Sequence, residues 1–254
     1  LQCLNGIEVP AIREKDGVCF VSVLGLWTRS DLRRFLIGSD CQVKVAAVRL
    51  VQTSAWRAQA LPVDTRICRV ELRNGQFYHQ GKDKDGCRVF YCWHKYPGKW
   101  RRDYASSLAA ILYQLEALSW KDGEKLTLVI PLGNPLSPNA TGNSSKNLRV
   151  TSHRRPFVEQ FDIGLIRYVL PVVGQHYPEI LHRCLVVFEG ANENLLTHMH
   201  VRKVVNGLFR SQTARSRIHF LSYFSDLQEY IEKKELVIPA GGTAAVVGPS
   251  VDLL

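Results

Sequence analysis

The stretch His176-Tyr-Pro-Glu-Ile-Leu-His-Arg-Cys-Leu-Val-Val-Phe188 sets Glu179, His182 and Arg183 directly before an apolar run that begins at Cys184. Titratable groups at the mouth of a buried strand serve one of three purposes. A histidine beside Cys184 or near it, as His182 and His176 are, is the pattern of a thiol–base pair. A carboxylate and a guanidinium together are the pattern of a site for a charged ligand. The third reading is a helix end meeting a strand. Cys184 opens the apolar run, and a buried cysteine behaves as a small hydrophobe rather than as a nucleophile, which weakens the first reading.

Two other groups have the residue types for metal chemistry. Cys87, Cys92 and His94 lie close together, and His198-Met-His200 pairs two imidazoles. Neither has the spacing of a zinc site, so no metal is expected. A phosphate-binding loop needs glycines that open a helix and present backbone N–H groups, and no such pattern is present. The nucleophile elbow G-x-S-x-G and the H-E-x-x-H helix are also missing. These readings point away from an enzyme and from a bound cofactor.

With 46% hydrophobic residues in 254, the chain is able to bury a sizeable core. Its apolar runs, such as 18–26 and 126–132, are far shorter than the roughly 20 residues that span a bilayer. It opens on Leu1 rather than Met, as a trimmed sequence would. The cysteines are odd in number and scattered, which favours a reducing, cytoplasmic setting over a disulfide scaffold. Asn139 and Asn143 match glycosylation acceptors by chance in a polar loop. The net charge of +10 points to an anionic partner. The basic residues fall in small clusters without an aromatic-basic repeat, so nucleic acid is not expected and an anionic membrane surface is.

The elements that must position these groups follow from periodicity. Apolar spacing predicts amphipathic helices from Asp31 to about Arg57, broken near Gly38-Ser-Asp40. Asp83-Lys-Asp-Gly86 reads as a turn before a strand Arg88–Trp93. A helix is expected over Ala105–Trp120 and a buried strand over Leu126–Ile130. Residues 133–156 read as a long polar insertion. A helix follows over about Val158–Val173, with Phe161, Leu165, Tyr168 and Val169 on one face and a kink at Pro171. Next come a strand Cys184–Phe188, a helix over about Leu195–Phe209 and a strand Ile218–Tyr223. A last helix, 226–234, is expected to be capped by Ser225 and Gln228. Uniformly apolar strands alternating with helices argue for an α/β fold with a mostly parallel sheet.

In this order the signals resemble the CRAL-TRIO lipid-binding family. Leu32-Arg-Arg-Phe-Leu36, Ala46-Ala47 and Trp56-Arg57 are similar to its helical N-terminal module. Asp83-Lys-Asp-Gly86 with Val89-Phe-Tyr91 is similar to its D-x-x-G-R-P-V turn and strand. Tyr177-Pro-Glu179 matches its Y-P-E-R, Thr213 with Arg217-Ile218 its T-x-x-K-I, and Leu227, Tyr230-Ile231, Leu236 and Gly241-Gly242 its closing segment. The departures mark a divergent member: Ile37-Gly-Ser39, Cys87-Arg88 and Phe188-Glu-Gly190 stand where the family has arginine-rich, Arg-Pro and Asn-Ala-Pro sequences. Nor does Val129-Ile-Pro-Leu-Gly133 carry the family's Asp.

The resemblance implies a helical module over 1–62 and a lipid-binding domain over 63–254, with a sheet flooring an apolar pocket roofed by a gate helix. It implies floor residues Val186 and Phe188, and a gate stripe of Val201, Val204, Val205 and Leu208. It places Glu179 and Arg217 at a phospholipid head-group site, with Arg215 as an alternative register and Thr127 at a choline-side hydroxyl. The implied function is binding and exchange of a phospholipid, phosphatidylinositol first, at membranes by a peripherally associated cytoplasmic protein. The alternative is a protein-interaction or small-GTPase-regulating scaffold of the same fold with a degenerate pocket.

Overall fold

The computed structural model describes residues 27–93, 103–118, 124–132, 162–188, 195–208 and 215–246, with only some side chains described in 195–208. The 133–156 insertion, the two glycosylation motifs, His94, Phe161 and Thr213 lie outside the described residues.

Helices α1 (Arg29–Ile37) and α2 (Val43–Ala60) form the N-terminal module. Thr28 starts α1 through a reciprocal cap: its Oγ1 accepts from the Asp31 N–H at 3.2 Å, while its own N–H donates to Asp31 Oδ2 at 3.1 Å. Phe35, Ala46 and Leu50 make a small core with Trp27, Leu32 and Leu36 against it. Helix α3 (Thr65–Arg73) is capped by Asp64, whose Oδ1 accepts from the Arg66 N–H at 3.0 Å. This helix is too short for apolar periodicity to announce it. Strand β1 (Phe77–Lys82) is similarly hard to read, because it mixes Phe and Tyr with His, Gln and Gly.

The remaining elements are β2 (Arg88–Cys92), α4 (Tyr104–Glu116), β3 (Leu126–Pro131), α5 (Ile163–His176), β4 (Leu181–Val187), α6 (Leu195–Leu208) and β5 (Ile218–Leu221). The five strands lie in chain order. β1 and β2 are antiparallel about the Asp83–Gly86 turn, and β2 to β5 are parallel. Right-handed crossovers that always step in one direction lay every crossover helix on one face of the sheet. Phe77, Phe90, Leu126 and Leu128 accordingly pack under α3, α4 and α5, while Cys184, Val186 and Ile218 pack under α6.

The alternate strand residues, Tyr78, Val89, Tyr91, Val129, Leu185 and Val187, face the other way and need a different cover. The C-terminal segment supplies it with Phe224, Leu227, Ile231, Leu236, Val237 and Ala240. Residues 226–234 are not the expected α-helix. They run through a 3₁₀ turn, Phe224–Glu229, with a second 3₁₀ turn at Ile238–Ala240. Asp226, rather than Ser225 and Gln228, secures the entry: its Oδ2 accepts from the N–H groups of Ser222 at 3.0 Å and Tyr223 at 2.9 Å. Gly241 has φ +80°. A Cβ on Gly242 would lie 1.9 Å from the Leu236 carbonyl oxygen, so the chain closes only through glycine there.

Two helices differ from the expected ranges. α4 stops at Glu116. α5 starts at Ile163, with Asp162 Oδ1 accepting from the Leu165 N–H at 2.9 Å, and runs five residues beyond Pro171. Pro171 and Arg167 are both exposed, so the proline sits on the outer side of the helix, where the loss of one backbone hydrogen bond is tolerated. Tyr168, expected on one face with Leu165, is 37% exposed where Leu165 is buried, and its ring lies 5.9 Å from Tyr104.

Candidate functional site

The short turn Tyr177–Ile180 joins α5 to β4. β4 begins at Leu181, which pairs with Leu126, so His182 and Arg183 lie on a strand and not on a helix end. Glu179 sits in the turn with φ +56°, a left-handed conformation that costs a non-glycine residue on the order of 1 kcal/mol. This geometry aims its carboxylate at Arg217, the residue before β5. The pair closes at 2.8 Å with both side chains a little over one-fifth exposed. Arg217 Nη1 also donates to the Leu181 carbonyl at 3.1 Å, and its backbone carbonyl accepts from the Cys184 N–H at 2.8 Å. The guanidinium is thereby tied to the amino ends of two adjacent parallel strands. Arg215 is exposed two residues earlier.

Further along the same sheet edge, the Asp83–Gly86 turn folds around one carboxylate. Asp83 Oδ1 accepts from the N–H groups of Asp85 at 3.0 Å and Cys87 at 2.8 Å, and Oδ2 accepts from Thr127 Oγ1 at 2.5 Å. Thr127 has no exposed surface. Its hydroxyl is committed to the turn, so it is set aside as a head-group contact. Asp85 is paired with Arg183 and lies 3.1 Å from His182 Nε2. Those two partners, the His182 hydrogen bond first, hold its carboxyl below the usual range. The Arg183 guanidinium lies 5.3 Å from the centre of the Tyr230 ring, and Arg88 pairs with Glu124 at 2.7 Å. The amino edge of the sheet is thus a row of tethered charges.

This row suits ion pairing and hydrogen bonding to a polar ligand, not nucleophilic chemistry. Burial pushes the Cys184 thiol up to about 12. Burial, followed by Asp83 and Asp85, also raises the Cys87 thiol. Asp83, Cys87 and His182 bring ligand atoms within 4.8 Å of one another. Asp83 already accepts from three internal donors, and His182 Nε2 lies 3.1 Å from Asp85, so two of these three groups are engaged within the protein.

The residues expected to line a pocket under the gate helix are packed together. Val186 and Phe188 are 1% exposed, Val201 3% and Val205 5%, and all four share one apolar cluster with Ile130, Leu132 and Ile218. Val204 is half-buried against it, and the Leu208 side chain lies outside the described residues. Helix α6 is therefore shut on the sheet along the predicted stripe. Its other side carries exposed Met199 and Lys203, while Arg202 at the flank sets its guanidinium 5.0 Å from the centre of the Phe220 ring.

A cavity of about 920 Å³ opens elsewhere, at the junction of the two modules. Trp27, Phe35, Leu61, Tyr113, Leu118 and Ile180 are among its walls. Tyr177, Pro178 and Ile180 line it, whereas Glu179 turns away to Arg217. The junction itself is held by the Trp56-Arg57 pair. Trp56 stacks flat on His176 at 4.1 Å. Arg57 grips Glu116 with both terminal nitrogens at 2.9 and 2.6 Å, and Tyr177 donates to the same carboxylate at 2.6 Å. Arg49 donates to the carbonyls of Gly174 at 2.9 Å and Gln175 at 3.3 Å. Trp56-Arg57 is visible as a motif, but its partners on α4 and α5 carry no local signal.

The architecture is an α/β sheet with its crossover helices on one face and ion pairs at its amino edge. Residues 147–245 match a family model described as a divergent CRAL/TRIO domain. The fold is similar to that in the crystal structure of Sfh5, at 14% identity and a TM-score of 0.54, over 87% of this chain and 77% of that one. No curated protein matches the sequence. Residues 147–245 therefore resemble a divergent CRAL/TRIO domain, and the chain as a whole has a fold similar to that of Sfh5.

Proposed function

We propose that the protein encloses a phospholipid, phosphatidylinositol first, and exchanges it at membranes. The observation that carries this reading is the half-buried Glu179–Arg217 pair, held at the entry of β4 and β5 beside the apolar cluster under α6. Burying acyl chains is worth about 0.8 kcal/mol per methylene, but a bilayer supplies nearly the same burial. Selectivity therefore rests on head-group contacts. A guanidinium binds phosphate bidentately, and a carboxylate accepts from ring hydroxyls. Arg215 stands two residues from Arg217 as a further cation. Opening of α6 exposes the apolar cluster, while Met199 and Lys203 on its outer side face the lipid surface. In this reading the protein holds and releases lipid without a chemical step.

Native mass spectrometry of protein isolated from cells, followed by vesicle transfer assays, tests the proposal. The expected result is retained phospholipid, with phosphatidylinositol transfer lost on Arg217→Ala and Glu179→Ala. Undiminished transfer by these variants removes the head-group assignment. A wild-type protein that neither retains nor takes up lipid removes the lipid reading.

One observation favours a second reading. The near-complete burial of Val186, Phe188, Val201 and Val205 is what a filled pocket looks like, and a filled pocket belongs to an interaction scaffold, such as a regulator of small GTPases. Lipid uptake separates the two.

A further inference from the structure

The inner side of α3 is ordinary: Cys68, Glu71 and Leu72 are buried, and Glu71 accepts from Ser107 Oγ at 3.2 Å. Its outer side is not. Ile67 and Val70 are 58% and 65% exposed, among the large hydrophobic residues this protein leaves in water. At 100° per residue they lie side by side, three apart. Arg66, Arg69 and Arg73 form an adjoining stripe, all exposed. The one acidic residue within the helix, Glu71, points inward, so the outward face is entirely cationic and apolar. Arg66 leans back on the capping residue Asp64 at 2.8 Å. Arg69 and Arg73 make no ion pair among the described residues.

We propose that this face of α3 is a docking surface for an anionic lipid membrane. Aliphatic side chains rimmed by arginines are suited to the boundary between head groups and acyl chains, where the apolar pair is buried and the guanidiniums meet phosphates. Nucleic acid fits less well: Ile67 and Val70 offer neither a hydrogen bond to a base edge nor an aromatic ring to stack on a base. A protein partner would cover the apolar pair equally well, but the unpaired arginines select for an anionic surface. The face lies on α3, separate from the Glu179–Arg217 pair, so membrane docking and head-group selection use different residues. The proposal rests on the membrane-exchange reading and names the surface that makes the encounter.

The test uses the full chain in co-sedimentation with phosphatidylcholine vesicles, with and without phosphatidylserine, at low and high salt. Wild-type protein binds the anionic vesicles and is released by salt. Each basic residue near such a surface contributes roughly fivefold, so Arg69→Ala with Arg73→Ala lowers partitioning about 30-fold. Arg69→Lys with Arg73→Lys keeps the charge and retains binding. Ile67→Ser with Val70→Ser lowers partitioning about tenfold through lost apolar burial. All of these positions are exposed, and circular dichroism confirms that each variant is folded. Binding that ignores vesicle charge, or survives the alanine pair unchanged, overturns the proposal. So does capture of a polyanionic RNA through the same arginines without vesicle binding. Retained lipid, measured on the same samples, keeps the two readings apart: a protein that carries no lipid yet docks through α3 removes the exchange reading and leaves this one standing.

Discussion

Mild acid is expected to loosen the junction between the N-terminal helices and the sheet through His176. This ring is 8% exposed, stacks on Trp56, and has Nδ1 3.0 Å from Thr53 Oγ1. Desolvation first, then Arg49 and Arg57, lowers its pKa from 6.5 to about 4. The folded protein therefore resists a proton that the unfolded chain accepts. The contribution to stability is intact above the unfolded pKa of 6.5 and is lost as pH falls towards the folded value near 4. Between pH 7 and pH 5 the linkage relation gives a loss of about 2 kcal/mol from this one group. His79 and His219 are also lowered by desolvation and act in the same direction. The His176 share must therefore be isolated by difference. His176→Phe combined with Thr53→Val preserves a ring against Trp56 and removes both the titration and the orphaned hydroxyl. Urea unfolding followed by circular dichroism at pH 7 and pH 5 provides the measurement. The wild type is expected to lose about 2 kcal/mol more than the variant. Equal losses, within about 0.5 kcal/mol, would refute the assignment of acid sensitivity to this junction.

Gly242→Ala is expected to destabilise the fold by about 2–3 kcal/mol, because its Cβ collides with the Leu236 carbonyl and displaces the segment that covers the second face of the sheet. Urea midpoints report this. Thr127→Val leaves one oxygen of the buried Asp83 carboxylate without its donor and is expected to cost about 2 kcal/mol, whereas Thr127→Ser restores most of it. If Thr127→Val is neutral in urea unfolding, the hydroxyl is not the anchor of the Asp83–Gly86 turn.

Much of the fold was legible because its signals are local. The strands at 126–131 and 184–187 are continuous apolar runs, and α1, α2 and α4 show helical spacing or capping residues near their ends. α3 and β1 were not legible, being short and mixed in composition. The 226–234 segment has helix-like residues, yet it takes 3₁₀ turns because it must lay Leu227, Ile231 and Leu236 across a sheet face that helices do not cover. The candidate site divides in the same way. Glu179 and Arg217 stood out by resemblance, 38 residues apart, and the fold pairs them at 2.8 Å. Thr127 stood out in the same way, but its hydroxyl was already engaged by Asp83.

By itself the sequence determined the alternation of strands and helices, the turn residues and the basic balance, since each depends on neighbours a few positions away. Only the tertiary structure decided where the charges are tethered. Sequential parallel strands bring the Asp83–Gly86 turn, the Tyr177–Ile180 turn and Arg217 to one edge of the sheet, across separations that no local pattern records. It also decided that α6 lies shut on Val186 and Phe188, because whether an apolar stripe packs or gapes depends on the shape of the surface opposite.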